Sequence, residues 1–416
     1  MARSLILRLR LAAIALLLAG LLGCTSEAPD LEQVTSAPGD ASAADRRRYI
    51  LLFDEEVVDI RRTTVLNEDG QVVQLIRFLN DLILNDLGES LLGPFEAVNG
   101  VLIEVLGALT PSSFADQPGL RIVEEDRLLR LPFRPNDNPA LQAIPWGLDR
   151  VDQRQRPLDG RYIPEGDGAG VHLYIVDTGL NASHADFRNR VGEGQNMRDP
   201  DLPPDDCNGH GTHVAGTAAG TRYGVAPLAV LHPVRIFDCE GEGRVSDVLA
   251  GMDWVIRNHQ APAIMNLSIS GERSRAIDNA AAVARRAGLV VVTAAGNDSD
   301  SACSVSPAAS AAAITVGATT RDDRAAAFSN PGRCVDLLAP GTDILSARHD
   351  SNTGTRLLSG TSMAAAHVSG AAALLLGGDP DATPETVRDR LIGDATPNTL
   401  SVGAESPNRL LFVGVE

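Results

Sequence analysis

Apolar positions follow two different rhythms along the chain. Between residues 46 and 133, short apolar stretches are broken by charges. Tyr49–Phe53 reads as a strand, and "GQVVQLIRFLNDLILNDL" has the three- and four-residue spacing of a helix. "AVNGVLIEVLG" and "GLRIVEEDRLLRL" supply further strands, so this part is predicted to be a small α+β domain. "PFRPNDNPALQAIP" then carries four prolines and no period, which predicts a linker and cleavage region over 134–142.

From residue 143 to 416 the apolar runs become continuous. "GVHLYIVDTG", "LAVLHPVRIFD", "APAIMNLSISG" and "GLVVVTAAGN" end in Gly, Asp, Ser or Asn, and "DVLAGMDWVIRNH" and "AIDNAAAVARRAG" between them have helical spacing. Buried runs alternating with helices predict an α/β domain, a parallel sheet with helices on both faces. Polar residues at the carboxyl ends of such strands line a ligand crevice.

"GTSMAAAHVSG" opens a stretch, Met363 to Leu376, that is almost wholly Ala, Val, Leu and Gly. A helix apolar all round is buried. Ser362 at its mouth reads either as an N-cap or as a nucleophile beside N–H groups and a dipole that favour a developing oxyanion.

The N-terminus reads as a targeting segment. Arg3, Arg8 and Arg10 precede an apolar run, Leu11 to Leu22, too short to span a bilayer comfortably. It ends in "LLGC", which resembles the lipobox of bacterial lipoproteins. That resemblance implies a signal peptide over 1–23 and lipid on Cys24; an ordinary secretory signal cut nearby is the alternative. Residues 24–45, rich in Ala, Ser, Pro, Asp and Glu, read as a flexible tether. Both readings export the protein.

Composition narrows the partners. A formal net charge of −18, with no lysine at all, argues against nucleic-acid binding. Four cysteines remain after Cys24, and an exported chain can oxidise them into two bridges. Three pairings are open; order along the chain suggests Cys207–Cys239 and Cys303–Cys334. Their spacings do not match zinc-ligand pairs.

Chemistry-bearing residues stand at the ends of the apolar runs. Asp177 ends "HLYIVD", and alone it is a strand-end cap or a metal ligand as readily as a catalytic acid. His210 and His213 lie in "CNGHGTHVAGT", three apart like a metal pair, but without the nearby glutamate such a zinc site carries. His213 reads as structural. Asn297 ends "VVVTAAGN", where its amide could donate into a crevice.

The chain order Asp177, His210, Ser362 is that of subtilisin-type proteases. "VDTG", "NGHGTHVAGT", "AAGN" and "GTSMA" resemble subtilases throughout. "PWGLDRVDQR", "YGVAP", "AGMDWV", "TVGATT" and "FSNPG" resemble the proteinase K and aqualysin branch. The resemblance covers residues 143–413, and 46–133 is similar to the inhibitory propeptides of the same proteases. It implies a self-processing serine endopeptidase with an Asp177–His210–Ser362 triad and Asn297 in the oxyanion hole. Polypeptides are the implied substrates and its own propeptide the inhibitor, with a monomeric enzyme and no organic cofactor. By resemblance, substrate adds as a strand between Gly241, Glu242, Gly243 and Ser268, Ile269, Ser270. Ala294, Ala295 and Gly296 would wall a roomy primary pocket. Glu242 and Arg244 read as rim charges or as charge selectors. Asp336, with the carbonyls of Ala311 and Ala313, lies where that branch holds a structural calcium.

Two departures from the family pattern stand out. Ala366 replaces a proline before His367, which predicts a slightly looser first turn. Ser270 replaces a glycine and puts pocket width in question. An inactive subtilase kept as a binding lipoprotein is the competing function, and a processing rather than degradative role is a third reading.

Overall fold

The computed structural model describes residues 46–55, 59–63, 90–106, 110–114, 119–131, 134–136 and 144–415. The signal segment, Cys24, the tether, the helical stretch at 70–87, residues 137–142 of the linker and residue 143 lie outside the described residues.

Strands β1 (Arg46–Phe53), β2 (Ser90–Phe95), β3 (Gly100–Leu106) and β4 (Leu120–Glu125) form an antiparallel sheet in the order β2–β3–β1–β4. Alternate residues face opposite ways. Tyr49, Leu51, Phe53, Val101, Ile103 and Val105 close a small core of their own. Ile50, Leu52, Leu102 and Ile122 turn the other way and join the core of the larger domain. β5 (Leu128–Arg130) and β6 (Arg134–Asn136) follow, so the stretch read as linker begins with a strand.

The larger part is layered. Helix α1 (Trp146–Val151) leads into strands β7 (His172–Asp177), β8 (Gln195–Asn196), β9 (Val230–Arg235), β10 (Glu242–Arg244) and β11 (Ala263–Leu267). β12 (Gly271–Glu272), β13 (Val290–Ala294), β14 (Val305–Ser306), β15 (Ile314–Thr319) and β16 (Leu337–Pro340) come next. β17 (Ile344–Ala347), β18 (Thr355–Ser359), β19 (Thr396–Pro397) and β20 (Arg409–Leu410) complete the set. The helices between them are α2 (His210–Ala219), α3 (Val245–Asn258), α4 (Arg275–Arg286), α5 (Thr361–Gly378) and α6 (Pro384–Asp394).

Nine strands make the central sheet, in the order β19–β20–β16–β15–β13–β11–β7–β9–β8. All neighbours are parallel except β19 and β20. Leu173 and Ile175 of β7 face a core shared with α2 and α5, while Tyr174 and Val176 face α3 and α4. The α/β architecture expected from the runs is the one present. α5 is long and apolar enough to cross a membrane by composition, yet 83% of it is buried inside the protein. It is the central helix of the core. Ala366 is fully buried within it, and the helix runs unbroken from Thr361 to Gly378.

Candidate active site

Asp177 is the last residue of β7 and is fully buried. The Thr178 N–H donates to its Oδ1 at 2.7 Å. His210 opens α2, and its Nδ1 lies 2.8 and 2.9 Å from the two oxygens of Asp177. Two features aim the histidine. Gly209 holds φ at 109°, and a Cβ there would come within 2.5 Å of His349 Nδ1, so the helix entry requires glycine. Asp206 supplies the helix cap from outside the helix. Its Oδ1 accepts from the N–H groups of Asn208 and Gly209 and from the Thr178 hydroxyl. Its Oδ2 accepts from the N–H and hydroxyl of Thr212. Sequence reading missed Asp206; an acid a few residues before a helix start was the available signal.

His213 is apart from this pair. Its Nε2 meets the carbonyls of Ile344 and Arg356 at 2.9 and 3.1 Å. Burial pushes its pKa down to about 3.

Ser362 is the second residue of α5 and is buried. The Ser362 hydroxyl donates to the Ser268 carbonyl at 3.2 Å. Asn297 follows β13, and its Oδ1 accepts from the N–H and the hydroxyl of Thr361, each at 2.9 Å. That fixes which way the amide points. The point where a Cβ on Gly360 would sit lies 3.5 Å from Asn297 Nδ2 and 3.7 Å from the Ser362 backbone nitrogen. Both nitrogens therefore lie within 4 Å of one point beside the serine.

The residues expected to meet substrate fall where strands pair. β10 carries Glu242 and Gly243, and it pairs antiparallel with β5 of the N-terminal part. Gly241 accepts from the Leu131 N–H at 3.0 Å. Glu242 pairs with Arg130, and Arg244 donates to the Asp126 carbonyl, so both rim charges meet the N-terminal part. Ser268 and Ile269 are buried. Leu129 packs against Gly271 and shares a core with Ile269. Ala294 and Ala295 are buried, and Gly296 follows with φ 104°. A Cβ on Gly296 would lie 2.3 Å from Asn330 Nδ2 and 2.9 Å from Ser270 Oγ. Ser270 thus crosses from its own segment to the facing wall. Asn330 was not anticipated. Its Oδ1 accepts from the N–H groups of Asp298 and Asp300, and its own N–H donates to the Gly296 carbonyl.

Both suggested bridges are formed, Cys207–Cys239 and Cys303–Cys334. The first ties the loop before His210 to the loop before β10, next to Asp206 and Gly241.

At the calcium position expected from Asp336, Ala311 and Ala313, an arginine side chain meets two of the three residues. Asp336 Oδ1 accepts from Arg388 Nη2 at 2.6 Å, and the Ala311 carbonyl accepts from Arg388 Nη1 at 2.9 Å. Asp336 Oδ2 accepts from the Thr315 N–H at 2.9 Å. A guanidinium of the protein's own takes Asp336 Oδ1 and the Ala311 carbonyl, so these two donors as arranged do not fit the metal.

The subtilase family model matches residues 168–411. The chain belongs to the subtilase family. The extracellular serine proteinase of Thermus sp. (strain Rt41A) is 56% identical over 318 residues, 76% of this chain and 76% of that protein. The alkaline serine exoprotease A of Vibrio alginolyticus is 38% identical over 393 residues, 93% of this chain and 71% of that protein. The crystal structure of a cold-adapted subtilisin-like serine proteinase is similar with a TM-score of 0.64 and 43% identity, covering 66% of this chain and 100% of that one. This subtilase is accordingly a serine endopeptidase, a hydrolase of peptide bonds.

Proposed function

We propose that this subtilase is an exported zymogen that cuts its own N-terminal part away, with Ser362 as nucleophile and His210 as base. The carrying observation is that the N-terminal chain is strand-paired with β10 and, a few residues further on, with β18. β5 pairs with β10, and Leu131 is bonded to Gly241. β6 pairs with β18, Arg134 standing opposite Ser359, three residues before Ser362. Only Pro132 and Phe133 separate the two anchored points.

The pairing of His210 with Asp177 supports the following chemistry. Asp177 accepts the Nδ1 proton of His210, which leaves Nε2 as the basic nitrogen. Nε2 takes the Ser362 hydroxyl proton while Oγ bonds to the scissile carbonyl carbon. The resulting oxyanion accepts from Asn297 Nδ2 and the Ser362 N–H, a type of donor worth roughly 3–4 kcal/mol in the transition state. The C–N bond breaks, His210 protonates the leaving amine, and a water deprotonated by His210 then hydrolyses the acyl-enzyme. Once cut, the segment through β5 stays paired as a product-like inhibitor. Cys24 would carry lipid on that same segment, so the mature protease separates from its anchor. The Thermus relative is named extracellular, which agrees with export.

Labelling with a serine-directed fluorophosphonate tests the reading. Wild type should be labelled and Ser362→Ala should not. An unlabelled wild type, purified free of its N-terminal part, means the inactive binding lipoprotein instead.

A further inference from the structure

Ala311 lies three residues before β15, and Asp336 lies directly before β16. These are neighbouring parallel strands, so the two residues sit at the same end of the sheet. Arg388, in the middle of α6, reaches both: Nη2 donates to Asp336 Oδ1 at 2.6 Å and Nη1 to the Ala311 carbonyl at 2.9 Å. Arg285 of α4 approaches the same carbonyl at 3.4 Å and pairs with Glu385 of α6 at 3.2 Å. The cluster therefore holds two carboxylates and two guanidinium groups.

Calcium takes six to eight oxygens at about 2.3–2.6 Å. A guanidinium that bonds two of the would-be ligands lies between them. A divalent cation placed there would meet the positive charge of that guanidinium at close range. Arginine suits the position because its planar fork satisfies a carboxylate and a carbonyl together and keeps its charge at every physiological pH.

We propose that Arg388 takes the place of calcium at this site: a protein-borne cation fastens α6 to the strand ends before β15 and β16, and the ion is not used there. This holds whether or not the chain processes itself.

The test is the melting temperature of the full chain carrying Ser362→Ala, which removes self-digestion, in excess calcium and in EDTA. Asp336→Asn should lower the melting temperature by the same few degrees in both conditions. A calcium-dependent rise that Asp336→Asn abolishes overturns the proposal, because Asp336 would then be serving the metal. Arg388→Ala supplies the second arm. It should lower the melting temperature in EDTA and gain a calcium-dependent rise larger than the parent's, which adding Asp336→Asn removes. An Arg388→Ala protein that responds to calcium no more than its parent also overturns it. Either arm decides the matter if the other variant does not fold.

Discussion

Ser268 and Ser362 hold one another reciprocally: the Ser362 hydroxyl donates to the Ser268 carbonyl at 3.2 Å, and the Ser268 hydroxyl donates to the Ser362 carbonyl at 3.0 Å. The mouth of the central helix is thereby tied to the segment expected to pair with substrate. The Ser268 hydroxyl also accepts from Asn266 Nδ2, and Asn266 Oδ1 accepts from Ser369 further along the helix.

Ser268→Ala should remove the bond to the Ser362 carbonyl and the acceptor of Asn266 Nδ2, while the Ser268 carbonyl still accepts from the Ser362 hydroxyl. It leaves Asn266 Nδ2 short of a partner in a buried place, a loss of about 1–3 kcal/mol in stability. Loosening Ser362 should lower kcat/KM by up to about tenfold, the equivalent of one ordinary hydrogen bond. Urea unfolding and a peptide assay check the two effects; unchanged kcat/KM would show that the tie is structural alone.

Much of this site was legible because buried parallel strands announce themselves. Asp177 and Asn297 end continuous apolar runs, and Ser362 opens a helix with no polar face, so each had a position before it had a partner. Of the residues that were missed, Asn330 and Arg388 act across 30 to 77 residues and break no local pattern, whereas Asp206 caps a helix only a few residues further on. Asp206 looks like one acid in "PPDDCNG", Asn330 like a turn residue, and Arg388 like the solvated face of a helix. "VEEDR" reads as a charge run on an edge strand. In the fold, Glu124 caps α4, accepting from the Ser274 hydroxyl and the N–H groups of Arg275 and Ala276. Asp126 caps α3, accepting from the N–H and the hydroxyl of Ser246 at 2.9 Å each. Helix ends 120 to 152 residues away leave no period for sequence reading to find.

Those two caps predict how the N-terminal part lets go. Each lost cap costs about 1 kcal/mol. Glu124→Ala with Asp126→Ala should therefore shorten the lag between self-cleavage and free activity by roughly tenfold or more. A fluorogenic peptide added during maturation reads the lag. An unaltered lag would mean that apolar packing of Ile50, Leu52 and Ile122 alone holds the cut segment.

Ser270 predicts a narrowed primary pocket. Its hydroxyl reaches the face of Gly296 and is buried without a hydrogen-bond partner among the described residues. Ser270→Gly removes the bridge between the two walls. The preference for Phe over Ala before the scissile bond should rise by about tenfold, the order of a methylene-sized change in a pocket. A peptide library profile showing no shift would place Ser270 outside the pocket.

His213 predicts acid sensitivity. Burial depresses its pKa to about 3, while the unfolded chain titrates near the ordinary 6.5. As pH falls below 6.5 the unfolded state gains a proton that the folded state refuses, so stability declines. The slope is about 1.4 kcal/mol per pH unit for this group. His367 is depressed to about 4 by burial and acts in the same direction, whereas Asp152, raised to about 6 mainly by burial, acts in the opposite one. Comparison with His213→Gln cancels both. Between pH 6.5 and 5 the variant's stability should fall less steeply by about that slope, and parallel curves would contradict the burial argument.

Self-processing is the prediction on which the zymogen reading stands. Composition alone placed the start of the mature protease within residues 134–143. The strand pairing at β10 and at β18 argues for a first cut earlier, within Leu131–Arg134, followed by trimming of the strand at β6 toward Ile144. The reaction is intramolecular, because the chain is already paired at β10 and β18 and no encounter is needed. Its rate should thus be independent of protein concentration. Ser362→Ala keeps the helix mouth but removes the nucleophile, and His210→Ala removes the base. Both should accumulate uncut, with removal of the export signal unaffected, while wild type separates into two pieces. Mass spectrometry of both pieces at early times locates the first cut. A cut within Leu131–Arg134 in wild type, absent from both variants, fits the pairing. If Ser362→Ala is cut at the same bond and rate, another protease performs the maturation. If the first cut instead lies beyond Asn136, the chain must leave its pairing with β18 before it reacts, and the substrate-like reading of β6 fails.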